Sequence, residues 1–569
     1  MSEKSPRSRA HASLGRFPHV LALALALAAC GDRAAPVDPP FPGLALDLTP
    51  EPARGDLTVE MRLSADRASA VTELAAARTW ADTRGADSIG DPRARDDDGE
   101  IQLSLRPDDG GPDRVVSLGR APRGDLLVRY RARPGASRFA VHVTADRMSG
   151  VGHAFLLLPR FSDAVPARVR FHLGKLERGA EAASSFGFGA EVVTTATSEE
   201  LAHAAYVAGK LWLETPARDA PALETQKSLV VLGAPPMDTR TAYTFSMAAL
   251  GAVDRLFLGE PREPIAAPEP FSVLLVAEPG LGRAHDGAYL TRSLGLWFDA
   301  GRGLDPALQL VIAHELVHRF LGGTVRLVEP DGRDAAWFTE GFTVHFARRV
   351  LLEGGFVRPA DLLVDVRRTL GDPVPGEDRA PPDYRRGAVW AAYFDAAVRH
   401  ASGGLRPLDE VARALVTRAR VEGRARLPVS ALREALEHEL GPAGAADFDA
   451  LEARPDAPVD LPEGAFGPCF KRLGRETTTF ELGFDRRSLR GNPAMLQGLV
   501  EGSAAERAGV REGALVLSSK VPEPEAALRR GAEVELLLAH GRAGKRVRYR
   551  PVVKKQTATW EVAPCRVGR

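Results

Sequence analysis

Cysteine is scarce in this chain, with three in 569 residues, and neither Cys469 nor Cys565 lies near another candidate site residue, which argues against thiol catalysis. An excess of charge of either sign is also missing. Lys+Arg and Asp+Glu balance at 75 each, so no polybasic stripe draws the chain to nucleic acid or an anionic surface. The apolar run from Val20 to Ala29 is too short to cross a bilayer as a helix. What remains is ordinary globular material: 44% hydrophobic residues and a length suited to three or four domains.

One stretch carries chemistry. Asp305 can cap a helix that starts at Pro306, where a missing N–H costs nothing, and Gly322-Gly323 supply a stop. The run between reads as one helix containing His314-Glu-Leu-Val-His318. Histidines four residues apart project from one face and can share a cation, and imidazole pairs suit zinc. Hydrolytic zinc sites use three protein ligands and leave the fourth position to water, so a carboxylate is what this helix lacks. Glu340, 22 residues beyond His318 in Trp337-Phe-Thr-Glu-Gly-Phe-Thr, supplies it.

With those residues in view, the sequence resembles the glycyl aminopeptidase family of gluzincin zinc metallopeptidases. Its members follow the zinc helix with a Trp-Phe-Ser/Thr-Glu-Gly-Phe-Thr segment. The resemblance implies one zinc per chain on His314, His318 and Glu340, with Glu315 as general base. It extends to Asp383-Tyr-Arg-Arg-Gly-Ala, where the family carries Tyr-x-Lys-Gly-Ala. Tyr384 falls on the tyrosine that helps to hold the tetrahedral intermediate, and Arg386 replaces the lysine. Family members anchor the substrate amine with a glutamate a few tens of residues before the zinc motif; the matching segment here, Asp286-Gly287-Ala-Tyr, has none. Either Asp286 substitutes, with Gly287 beside it in the substrate site, or the enzyme is an endopeptidase.

The N-terminus carries Lys4, Arg7, Arg9 and Arg16 ahead of the apolar run, which reads as a signal peptide. Its end, Leu27-Ala-Ala-Cys30, looks like a bacterial lipobox, in which Cys30 is acylated and begins the mature chain; ordinary signal cleavage is the alternative. Gly31, where an inner-membrane-retaining Asp would otherwise stand, leans toward the outer membrane. Cys469 and Cys565 are then either a disulfide or two free thiols.

In chain order, residues 1–30 are the leader and 31–43 a proline-rich tether. Short alternating runs such as Leu57-Thr-Val-Glu-Met-Arg-Leu make 44–175 a β-sandwich, with Arg84 to Glu100 expected as a loop. Residues 176–355 form a thermolysin-like catalytic lobe in which Ser198 to Gly209 reads as helical. Residues 356–460 form an α-helical subdomain. In 465–569, Glu481-Leu-Gly-Phe and Gly502-Ser-Ala-Ala-Glu-Arg-Ala-Gly resemble a PDZ domain, although Glu481 and Ala514 depart from its pattern. That domain either packs on the catalytic lobe or adds a C-terminal peptide as a strand. The expected fold is multidomain α+β. Its expected function is an exported, lipid-anchored zinc peptidase acting on peptides or proteins; the second reading is a non-catalytic binding lipoprotein on the same fold.

Overall fold

A computed structural model describes residues 41–107, 110–216, 227–259, 270–282, 284–371, 381–455, 457–540 and 543–565. The expected leader, Cys30 and most of the tether lie outside these residues. No described helix is long and apolar enough to cross a membrane.

Strict alternation builds the first layer. In Asp56–Leu63 the side chains of Leu57, Val59, Met61 and Leu63 are fully buried, whereas Arg62 is exposed. This strand lies in a seven-stranded sheet beside Leu44–Glu51 and Leu126–Ala132. A five-stranded sheet contributes Met148, Tyr206 and Ala208 to the same core. These strands continue past the expected boundary at 175, as far as Gly209.

Two expectations are corrected here. Ser198–Ala202 is a short helix, but Ala205–Gly209 is a strand buried along its whole length. Tyr206 and Ala208 face the sandwich core, while Ala205 and Val207 join a second core with Val230, Leu274 and Trp297 of the catalytic lobe. A strand covered on both faces has no polar alternation, so its sequence reads like a buried helix. Arg84 to Glu100 is not a loop: Gly85–Ser88 is one helical turn, and Ile89–Asp96 pairs with Leu126–Ala132. This strand sits near the sheet edge and buries little beyond Gly90 and Ala94. Backbone pairing and ion pairs such as Asp96–Arg120 hold it instead of an apolar stripe.

The lobe expected to be catalytic is a five-stranded sheet in the order Leu211–Glu214, Lys227–Leu232, Phe271–Glu278, Ser293–Asp299, His285–Leu290. The middle three strands are parallel; His285–Leu290 returns antiparallel and forms an edge. One face meets the five-stranded sheet of the sandwich, and the other buries Leu229, Val273, Leu275 and Phe298 against helices. Layers therefore run sandwich, catalytic sheet, helices. The helices Pro359–Thr369, Pro382–Ala401, Asp409–Glu422, Ser430–Leu440 and Pro442–Ala453 make up the α-helical part.

At the C-terminus, a ribbon of Phe470–Phe480 paired with Val552–Val562 leads to a four-stranded sheet with its own small core around Leu496, Val510, Leu536 and Val547. Phe470 and Trp560 instead join the large core of the helices. Cys469 and Cys565 are joined as a disulfide.

Candidate active site

The motif helix is Pro306–Val317, with Asp305 as its cap: the Asp305 carboxylate accepts the N–H of Leu308 at 2.7 Å. It ends earlier than the glycines suggested. From His318 the chain turns back on itself, the N–H of Gly323 donating to the His318 carbonyl at 3.0 Å, and Gly322 sits at φ +106°. This turn brings the Leu321 carbonyl to His318 Nδ1 at 2.9 Å. A ring whose Nδ1 is committed to a carbonyl presents Nε2 as the free donor atom, the arrangement common to metal-bound histidines.

Glu340 arrives from the other side on a π-helical turn, Trp337–Phe342, that runs into the helix Thr343–Glu353. Two glycines set its position. A Cβ on Gly341 would stand 2.4 Å from Cα of Gly387, and a Cβ on Gly387 would stand 1.7 Å from the Trp337 carbonyl oxygen. Any other residue would push the π turn and the helix Pro382–Ala401 apart. Because Gly341 follows Glu340 and Gly387 lies three residues after Tyr384, the crossing delivers both side chains to one place.

His314 Nε2 and His318 Nε2 lie 3.0 Å apart, and Glu340 Oε2 is 3.4 Å from the first and 3.5 Å from the second. A tetrahedral ion with bonds of about 2.0–2.1 Å has ligand atoms roughly 3.3 Å apart, so the three atoms fit one face of such a polyhedron. Glu315 also lies within 4.8 Å of both imidazoles. Glu340 is nonetheless the better third ligand, since a single oxygen is nearly equidistant from both rings. The Glu315 carboxylate accepts the N–H of Tyr289 on the edge strand. Gly287 on that strand leaves it room, because a Cβ there would meet Glu315 at 2.8 Å.

Electrostatics follow from burial and proximity. Burial works against a charged His318, but its hydrogen bond to Glu340 and the charges of Glu315 and Glu340 lift it to about 9. Burial likewise works against an ionised Glu340, yet hydrogen bonds and charge from His314 and His318 hold it far below the usual carboxylate range. Burial pushes the Glu315 carboxyl up against the pull of the two histidines, and Glu340 adds to the rise. The Tyr384 phenol is raised strongly by burial and by Glu340, to which it hydrogen-bonds; its ring stacks on His314 with centroids 6.0 Å apart.

A cavity of about 300 Å³ opens on these groups, lined by Asp286, Gly287, His314, Glu315, Asp365, Arg368 and Tyr384 among others. Asp286, Gly287, His314, Glu315 and Tyr384 thus border one space, with His318 and Glu340 against His314. Asp286 is placed differently from its neighbours: successive strand residues point to opposite faces, so Gly287 turns to Glu315 while Asp286 turns to the sandwich and pairs with Arg138. Arg138 was invisible in the sequence, being a loop arginine in no motif. The Gly341–Gly387 crossing had a signal, since both glycines follow candidate residues.

An edge strand borders the two-histidine helix, and the next helical segment supplies a carboxylate. Among solved structures the chain is similar to an aminopeptidase N family protein from Idiomarina loihiensis, with 13% identity over 91% of this chain and 98% of that one and a TM-score of 0.60. An M1 zinc metallopeptidase from Deinococcus radiodurans aligns with 74% of this chain and 95% of its own at 17% identity and a TM-score of 0.47; the fold assignment rests on the former. No protein-family model matches the sequence, and no curated protein does.

Proposed function

We propose that the protein is a zinc-dependent peptidase, and the observation that carries this reading is the near-equilateral set of His314, His318 and Glu340 donor atoms beside a buried Glu315. Zinc held there would supply Lewis acidity, polarising a carbonyl and acidifying water toward neutrality. Glu315, held by the Tyr289 N–H and raised by burial, is placed to take a proton from the attacking water and return it to the leaving amine. Tyr384 keeps its proton well above neutral pH and so can donate a hydrogen bond to the carbonyl oxygen as charge develops there.

The test is Glu315→Gln. It leaves the three ligands intact, so one zinc per chain should persist in elemental analysis while peptide turnover falls by roughly 10²-fold or more. Loss of metal in that variant, or undiminished turnover, would refute the assigned role.

The C-terminal domain reads as PDZ-like, and packing supports a role in bracing the catalytic lobe: Phe470 and Trp560 lie in the core of the helices. In its Glu481-Leu-Gly-Phe loop, the Glu481 N–H donates to the Pro551 carbonyl and the Tyr549 hydroxyl donates to the Leu482 carbonyl. Export and acylation at Cys30, with an outer-membrane address, rest on the sequence alone. Mass spectrometry of the mature N-terminus tests them, and an unmodified Cys30 would exclude the anchor.

A further inference from the structure

Glu315 takes its orientation from outside the motif helix. Its carboxylate accepts the Tyr289 N–H, and Gly287 on the same strand lies so close that a Cβ there would meet Glu315 at 2.8 Å. That strand, His285–Leu290, pairs with Ser293–Asp299 and forms the edge of its sheet. An edge is free to drift unless something closes it.

The sandwich closes this one. Arg138 pairs with Asp286 near the start of the strand, and Arg292, in the turn that follows it, donates to the Thr194 hydroxyl at 3.1 Å and the Thr195 carbonyl at 3.2 Å. Between these grips stands His203. Its carbonyl accepts the Thr291 N–H at 2.8 Å and its ring donates to the Tyr289 carbonyl, so one residue takes the place that a neighbouring strand would fill. Tyr289 thus gives its carbonyl to His203 and its N–H to Glu315.

Local structure places His203 in turn. It follows Ser198–Ala202, a helix with a capping box at Thr197 and Glu200, and its N–H donates to the Glu199 carbonyl at 2.8 Å. Gly152 lets that turn approach, since a Cβ there would stand 2.5 Å from the Leu201 carbonyl oxygen. The ring packs edge-on against Trp80, with centroids 5.6 Å apart, and against His153 at 5.3 Å. Packed in this way, it has little rotamer freedom left to lose.

Resting on the peptidase reading, we propose that His203 is a positioning residue: it holds the edge strand in register with the motif helix and, through the backbone of Tyr289, fixes the Glu315 carboxylate for proton transfer. A domain with no residue in the zinc set thereby sets the geometry of the base.

The experiment uses the zinc-loaded full chain. His203→Phe keeps a ring against Trp80 but cannot donate, and it should lower kcat by roughly tenfold to a hundredfold while KM and one zinc per chain are retained. His203→Gln keeps a donor and should recover most of that loss. In the Glu315→Gln background, His203→Phe should lower the residual turnover no further, because residues that act as a unit are not additive. Hydrogen exchange of the segment 285–292, followed by mass spectrometry, reads the strand without turnover: His203→Phe should speed it and His203→Gln should not. That exchange pattern in a native chain that hydrolyses no peptide would refute the peptidase reading alone. Unchanged exchange, a rise in KM with kcat intact, loss of zinc, additive losses in the double variant, or no recovery in His203→Gln would overturn this inference. Should His203→Phe not fold, His203→Leu takes its place in each comparison.

Discussion

Two buried polar clusters draw on one helical segment, which gives Glu340 to the first and Arg348 and Arg349 to the second, and they are built on opposite plans. In the first, Glu340 converges with His314, His318 and Glu315, so carboxylates and imidazoles face one another around a space. In the second, a few residues on, Arg349 meets Asp409 and Asp395, Arg348 meets Asp365, and Asp395 also accepts the N–H of Leu408 at 2.8 Å. With Arg399, which also pairs with Asp395, the second set places three arginines against three aspartates. Burial opposes both charges there, but their mutual attraction holds Asp395 far below the usual carboxylate range and raises Arg349 further. A cluster whose charges pair with one another needs nothing from solution, whereas imidazoles and carboxylates that converge on a space can take a cation.

The comparison can be broken most forcefully at Asp395. Asp395→Ala should leave Arg349 buried beside a reduced set of anions and cost about 3–5 kcal/mol in denaturant unfolding. The loss should be the same with zinc present or chelated, because the two clusters are separate. A loss that vanishes on metal removal would merge them into one system.

A smaller effect is expected where the first cluster depends on backbone proximity. Gly387→Ala places a methyl group against the Trp337 carbonyl, so the π turn must shift at a cost of about 1–3 kcal/mol. Since that turn carries Glu340, zinc affinity should fall with stability, whereas Asp395→Ala should spare the affinity. Competition with a chromogenic chelator measures both.

The smallest effect concerns a third kind of buried group, one kept neutral. His153 is lowered to about 3 by burial and by His203, and His203 to about 4 by burial and by Arg326; Trp80 lies against both rings. Both folded values lie below the unfolded value near 6.5, so the unfolded chain binds more protons as pH falls from about 6.5 toward 4. Stability is full above that window and is lost within it, by about 1–2 kcal/mol for each histidine at pH 5. Thermal melting at pH 7 and pH 5 checks this, and His153→Phe should flatten the profile. An unchanged slope would mean that these rings do not sense pH.

Legibility differed by the range of the contacts involved. The cap at Asp305, Pro306 in the first turn and the i, i+4 histidines are local, and they stand in the structure as their spacing suggested. Alternation in Leu57 to Leu63 was equally plain, because a half-buried strand prints its environment every second residue. Ala205–Gly209 failed for the converse reason: two apolar faces erase the pattern. Ile89–Asp96 failed because a strand next to the sheet edge is held by backbone pairing on both sides, which side chains do not report.

By itself the sequence determined which chemistry was available: two imidazoles and a carboxylate at a helix, a second carboxylate further on, and a tyrosine before a later helix. Those are properties of residue types and short spacings. The tertiary structure decided how they meet, since Glu340 reaches the histidines through the Gly341–Gly387 contact between segments more than forty residues apart. It decided the fate of Asp286 as well. Strand alternation turned that side chain toward the sandwich, and a loop from the sandwich met it with Arg138. Such a pairing depends on how two layers stack, and no local pattern in either segment encodes it.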